Sequence, residues 1–306
     1  MRTLLTLIAL ALTFPATAQE AAAPVTPNSV VAEAAPEEWI AIPPEDLLVM
    51  ELAPDAEGEP RRVVIQLIPA PFSQPWVENI RTLAAAHWWD GTSVNRVQDN
   101  YVTQWGDVTE EKPLPEGVVA PEVSYTISGV HRMLDAAGSP NLSPDAAAEH
   151  TQFVAGWPVA AESMRLHAWP IHCYGYVGVG RGYAPDTGTG AELYTIIGQP
   201  QRHMDRNLAV VGRIIEGMEH LSSLPRGSGE LGFYTEEEAH LRTPILSVRL
   251  ASELDAQPTF EYLDTSSESF ARYVHVRANR DDAFYTVPAG GVDVCSVQVP
   301  VRAVSE

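Results

Sequence analysis

Positive charge is what this sequence has least of. Its 306 residues hold 19 Lys and Arg against 40 Asp and Glu, for a formal net charge of −21, and Lys112 is the only lysine. Phosphate-rich partners demand a basic patch, so nucleic acid and anionic lipid are excluded as main partners. Cysteine is nearly absent as well, with only Cys173 and Cys295 in the chain. Two thiols cannot supply a paired CxxC zinc site. Long apolar runs are missing after the first twenty residues, so no membrane span is expected.

Those first residues, MRTLLTLIALALTFPATAQE, carry Arg2, an apolar run from Leu4 to Leu12 and the small-x-small triplet Ala16-Thr17-Ala18. The pattern predicts a signal peptide over residues 1–18, cut before Gln19, because the run is too short to cross a bilayer. The mature chain is then expected to be soluble and periplasmic or secreted. Export permits a disulfide between Cys173 and Cys295, and the sequence leaves that bridge and two free buried thiols both open.

Residues 19–46, rich in Ala, Pro and Glu, read as a flexible tether on which Trp39 and Ile40 can dock. DLLVMEL (46–52) and RRVVIQLI (61–68), separated by the turn-forming PDAEGEP, predict a β-hairpin. Ser73 is a candidate cap for a helix with Pro75 in its first turn and Val77, Ile80, Leu83 and Ala84 on one face, ending near Asp90-Gly91. SVNRV and YVTQW read as strands. Residues 108–170 look like an insertion and a candidate lid, in which VSYTISGVHRML reads as strand then helix and Ser143 as a helix cap. CYGYVGV, ELYTIIG, LAVVGRII and TPILSVRLASEL supply further strands, EGMEHLSSL a short helix, and residues 255–306 a β-rich extension. Many short strands with two helices predict a mostly β fold, a closed barrel rather than a doubly wound sheet.

Familiar chemical signatures are lacking too. HAWPIHC, residues 167–173, has no HExxH spacing, so a metal site is not expected. GVGRG (178–182) is an incomplete GxGxxG, and RGSGELG (226–232) is not GxSxG. No cofactor is expected. Acidic clusters such as Glu236-Glu237-Glu238 read as solvated surface.

What remains is Arg96 in the alternating stretch SVNRVQDNYVTQWGD, where a plain polar residue would serve a barrel edge equally well. Three segments together resemble the cyclophilin family of peptidyl-prolyl cis-trans isomerases. RRVVIQLIPAPFSQPWVENIRTLAAAHWWDGTSVNRVQDNYVTQWGD is similar to that family's first strands, first helix and catalytic strand. GYVGVGRGYAPDTGTGAELYTIIG and HMDRNLAVVGRIIEGMEHLSSL resemble two further family stretches, in the same order and spacing. The resemblance covers residues 47–107 and 171–254. It implies a closed antiparallel eight-stranded barrel over 47–254, with two flanking helices, the insertion at 108–170 and the extension at 255–306 outside the minimal family.

By the same resemblance, Arg96 donates to the nitrogen of a twisted X-Pro amide and Gln104 orients it. Tyr101, Val102, Tyr194, Met204 and Leu208 line the proline pocket, and backbone around Gly180, Arg181 and Ala184 binds the extended peptide. The sequence departs from the family at Asn95, Val94, Trp105 and Ala191-Glu192. His203 stands where cyclosporin-binding members carry Trp, which implies weak cyclosporin binding. Tyr194 in place of Phe brings a hydroxyl that must find a partner. The implied activity is proline isomerisation in exported proteins by a monomer acting on proline-containing polypeptides. The alternative is a cyclophilin-like peptide-binding or chaperone module with weak or no catalysis.

Overall fold

A computed structural model describes residues 25–140, 142, 145–162, 164 and 166–304. The expected signal peptide and the expected cap at Ser143 lie outside the described residues. Eight strands close the barrel: β2 (Leu47–Leu52), β3 (Arg61–Leu67), β4 (Ser93–Val97), β5 (Val102–Gly106), β10 (Tyr176–Val179), β11 (Leu193–Ile196), β12 (Val210–Glu216) and β13 (Thr243–Leu250). They are joined all-antiparallel in the order β10-β11-β5-β4-β13-β2-β3-β12, so the mostly β barrel read from the sequence is the fold observed. Closure removes every free strand edge. Strands 47–52 and 61–67 are buried on nearly every residue because each is covered on both faces.

Helix α2 (Gln74–Ala85) buries Trp76, Val77, Ile80, Leu83 and Ala84, the stripe its periodicity predicts. The helix boundaries differ from expectation. Ser73 makes no side-chain cap, because a capping residue needs extended backbone and Ser73 is left-handed at φ 51°. Gln74, the first helical residue, ties the incoming turn down instead, donating from Nε2 to the Ile68 and Phe72 carbonyls at 3.1 and 2.8 Å. The helix stops at Ala85, since His87 turns left-handed at φ 53° and tucks Trp88 and Trp89 inward.

Outside the barrel, three distant parts of the chain form one layer. The flexible tether expected before residue 47 is overturned for residues 25–46. Thr26 caps α1 (Pro27–Ala32), Val30 is buried, and β1 (Trp39–Ala41) pairs with β14 (Phe260–Leu263). Trp39 is buried in that contact, while Ile40 faces outward. The physical reason is that the segment's few apolar residues meet partners supplied only by the C-terminal extension.

The extension is itself a correction, because its longest element is a helix, α5 (Glu268–Ala278), between β14 and β15 (Val301–Ala303). Ser267 caps α5 by accepting from the Phe270 amide at 3.0 Å, and Phe270, Tyr273, Val274 and Ala278 form its buried stripe. Glu38 accepts from the amide and hydroxyl of Ser269.

The insertion contributes β6 (Ile127–Ser128), α3 (His131–Ala136), β7 (His150–Val154), β8 (Trp157–Ala161) and β9 (His167–Pro170), with sheet order β6-β9-β8-β7. Phe153 packs edge-on against Phe270 at 5.2 Å, and Trp157 packs against Tyr176 at 5.6 Å. A Cβ at Gly156 would stand 2.7 Å from the Tyr262 ring, so glycine allows insertion and extension to touch. This sheet packs on the flank of the barrel instead of forming the expected lid. Cys173, just before β10, is bonded to Cys295, which ties the extension to the barrel. Among the described residues no helix is long and apolar enough to cross a membrane.

Candidate functional site

Strands β4 and β5 are antiparallel neighbours, and a register irregularity between Val94 and Arg96 sets Arg96 directly opposite Gln104. Without that one-residue shift, the register that pairs Val94 with Trp105 would set Arg96 opposite Thr103, so the irregularity is what brings the two side chains together. Arg96 Nη1 donates to Gln104 Oε1 at 3.1 Å, and Nη2 donates to Gln98 Oε1 at 2.6 Å. Its Nε donates to the Leu231 carbonyl at 2.7 Å. The guanidinium lies 5.5 Å from the Tyr101 ring centre and 5.2 Å from that of Phe233. Burial pulls its pKa below the ordinary value, with the Tyr101 hydroxyl acting in the opposite direction.

Arg96 and Gln104 line a groove of about 570 Å³. At one end Val102, Tyr194, Ile196 and Met204 form a separate small apolar cluster, with Tyr101 and Leu208 packed against it. Gly180 and Arg181 also line the groove, but Ala184 does not; it is exposed on the following loop. His203 stacks 6.1 Å from Tyr101 and is exposed, outside the groove lining. Among the described residues of the insertion, Glu110, Lys112 and Leu114 are the ones that contribute to the groove wall.

Tyr194's hydroxyl meets His172 Nε2 at 2.9 Å, and His172 Nδ1 meets Asp205 Oδ1 at 2.9 Å. All three residues are buried. A carboxylate only accepts, so Nδ1 donates to Asp205, and in that tautomer Nε2 is the nitrogen that accepts from the tyrosine hydroxyl. Arg202 donates from Nε to the other Asp205 oxygen at 2.7 Å and pairs with Asp145 of the insertion. A Cβ on Gly178 would fall 2.2 Å from the Tyr194 hydroxyl, so the bare backbone there makes room for it. Burial drives the Tyr194 pKa well above its ordinary value. Tyr194→Phe leaves the His172 nitrogen buried without a donor, and is expected to lower stability by about 1 to 3 kcal/mol in urea unfolding. An unchanged midpoint would show the hydroxyl to be idle.

Two features of the site were not legible in the sequence. The carbonyl of Leu231, a left-handed residue at φ 55°, reaches Arg96 across 135 positions, and Phe233 closes over the guanidinium beside it. From the sequence, RGSGELG reads only as a run that is not GxSxG. In the sequence His172 reads only as a candidate metal ligand alongside His167; in the structure His167 pairs with Glu162 and His172 with Asp205 and Tyr194.

Comparison with known proteins agrees with the barrel fold. The family model for cyclophilin type peptidyl-prolyl cis-trans isomerase/CLD matches residues 60–249. The chain is similar to the crystal structure of cyclophilin AquaCyp293 from Hirschia baltica, with 22% identity, a TM-score of 0.66, and 93% of this chain and 100% of that chain covered. A cyclophilin type isomerase from Cryptosporidium parvum is 12% identical, with a TM-score of 0.39, and 67% of this chain and 96% of that chain are covered. No curated protein matches the chain.

Proposed function

The chain belongs to the family of cyclophilin-type peptidyl-prolyl cis-trans isomerases, and from that premise we propose that it catalyses rotation about X-Pro bonds in exported polypeptides. The observation that carries the reading is Arg96, held by Gln104 beside the apolar cluster of Tyr101, Val102, Tyr194, Met204 and Leu208. Rotation breaks amide resonance across a barrier of about 18 to 20 kcal/mol and needs no covalent step. The apolar pocket grips the proline ring and excludes water. As the bond twists, its nitrogen recovers a lone pair to which a guanidinium can donate, and that interaction exists only near the transition state. Arginine has five N–H donors. Gln104, Gln98 and the Leu231 carbonyl engage three of them, which leaves two for the substrate.

The leader sequence supports a periplasmic or secreted setting, where proline-limited folding of exported proteins supplies clients to a monomer. A second reading, a peptide-holding module with weak catalysis, is favoured by one contact: the Leu231 carbonyl already occupies Arg96 Nε. Exchange NMR on a short X-Pro peptide separates the two. The isomerase reading expects the protein to speed cis-trans exchange at catalytic concentration. Binding without any acceleration, in a folded protein, would leave only the holding module.

A further inference from the structure

The groove has an acceptor surplus that the isomerase reading does not use. Glu192 immediately precedes β11 and lines the groove together with Tyr194, two positions further along the chain. Its Oε2 receives only Gln104 Nε2 at 3.4 Å and Asn95 Nδ2 at 3.5 Å, both long contacts from neutral amides. The Asp107 backbone amide also acts on the carboxylate. Asn95 Oδ1, on the buried residue beside it, has no hydrogen-bond partner. Among the described residues Glu192 forms no salt bridge.

The cations that line the groove are all turned elsewhere. Lys112 Nζ donates to the Asp90 carbonyl and lies over the Trp88 ring. Arg181 donates to the carbonyls of Asn207 and Gly182, and Arg96 is held by Gln98, Gln104 and Leu231. The other charged lining groups, Asp107, Glu110 and Asp186, are acidic. Burial, opposed by the Gln104 and Asn95 hydrogen bonds, pushes the Glu192 carboxyl up to about 7. A half-buried carboxylate without a countercharge is costly unless a cation arrives to pair with it.

We propose that Glu192 makes this groove selective for proline peptides carrying a lysine or arginine side chain within two residues of the proline. Glu192 and the proline-pocket residue Tyr194 line the same groove two positions apart, and two residues of extended chain span roughly 7 Å, so a side chain within two residues of a bound proline comes within reach of Glu192. Leu114, an exposed residue of the groove lining, offers apolar surface for that side chain's methylene stem, with the charged end at the carboxylate. The inference rests on reading the groove as a proline-peptide site.

The test is exchange NMR with matched peptides bearing Lys, Leu or Glu at each of the two positions on either side of the proline, on the wild type and Glu192→Gln. The readout is the Lys-to-Leu ratio within each protein, so any change in overall rate cancels. At one position at least, the wild type should favour Lys by about tenfold at pH 8.5, the scale of one hydrogen bond to a charged group, and disfavour Glu. Glu192 is charged above its raised pKa and neutral below it, so the preference should shrink at pH 6. It should vanish at both pH values in Glu192→Gln. Equal ratios in the two proteins, or no preference in the wild type, overturn the proposal. If no peptide is turned over, chemical-shift titration with the same set decides. A Lys preference in binding that Glu192→Gln removes upholds charge selection while the isomerase reading falls, and equal or absent binding overturns the proposal.

Discussion

Arg96→Ala is expected to lower kcat/KM for X-Pro exchange by about a hundredfold to a thousandfold, the loss typical when one preorganised transition-state donor is removed. A thousandfold effect corresponds to only about 4 kcal/mol, well within what one charge-assisted donor supplies in a groove shielded from water. The folded state should hardly notice, because the three acceptors released belong to Leu231, which is 58% exposed, and to the half-buried Gln98 and Gln104, all within reach of groove water. Arg96→Lys is the sharper variant. It keeps the charge but loses the fork that spans Gln104, Gln98 and Leu231 together, so its rate should lie nearer the alanine variant than the wild type. Single-turnover exchange rates, with near-ultraviolet circular dichroism as the folding control, decide the matter. An alanine variant as fast as wild type would place the chemistry on another group.

The parts of this molecule that sequence reveals are those whose partners are near in the chain or fixed by strand period. Arg96 and Gln104 are eight residues apart on adjoining strands, and alternation in SVNRV and YVTQW sets the face each occupies. The β2–β3 hairpin and the stripe of α2 are visible for the same reason. The α5 stripe at Phe270, Tyr273, Val274 and Ala278 carried a helical period, but Tyr and Val are strand-favouring residues and drew the reading toward β. Residues 25–46 gave no such cue. Their composition is that of a solvated tether, and the Glu38 to Ser269 contact that anchors them bridges 231 positions. Glu192 was recognised as a departure from the family, but its missing countercharge emerges only when the directions of Lys112, Arg181 and Arg96 are known.

The largest expected stability effect belongs to Arg213, a β12 residue that no pattern in LAVVGRII singles out. It is 5% exposed, and no carboxylate pairs with it among the described residues. Nε donates to Gln66 Oε1 and Nη1 to the Gly156 carbonyl, both at 2.8 Å. The guanidinium lies 4.8 Å from the Trp157 ring centre and 5.8 Å from that of Tyr262, and Nη2 has no partner. One side chain therefore touches barrel, insertion and extension. Arg213→Ala empties a packed space and orphans two buried acceptors, and is expected to cost about 3 to 5 kcal/mol in urea unfolding. Because this aromatic cage is one of the links among barrel, insertion and extension, the transition should also broaden or split, as it does when cooperativity between parts is lost. Arg213→Met separates volume from charge. It refills the space and removes a cation that is expensive to bury, while still leaving Gln66 and Gly156 unpaired, so it should cost clearly less than alanine. Adding Gln66→Leu should recover more, since exchanging both partners of a buried polar contact for apolar groups is often close to neutral. If the methionine variant is as unstable as the alanine one, the hydrogen bonds to Gln66 and Gly156 rather than the packing hold the three layers together.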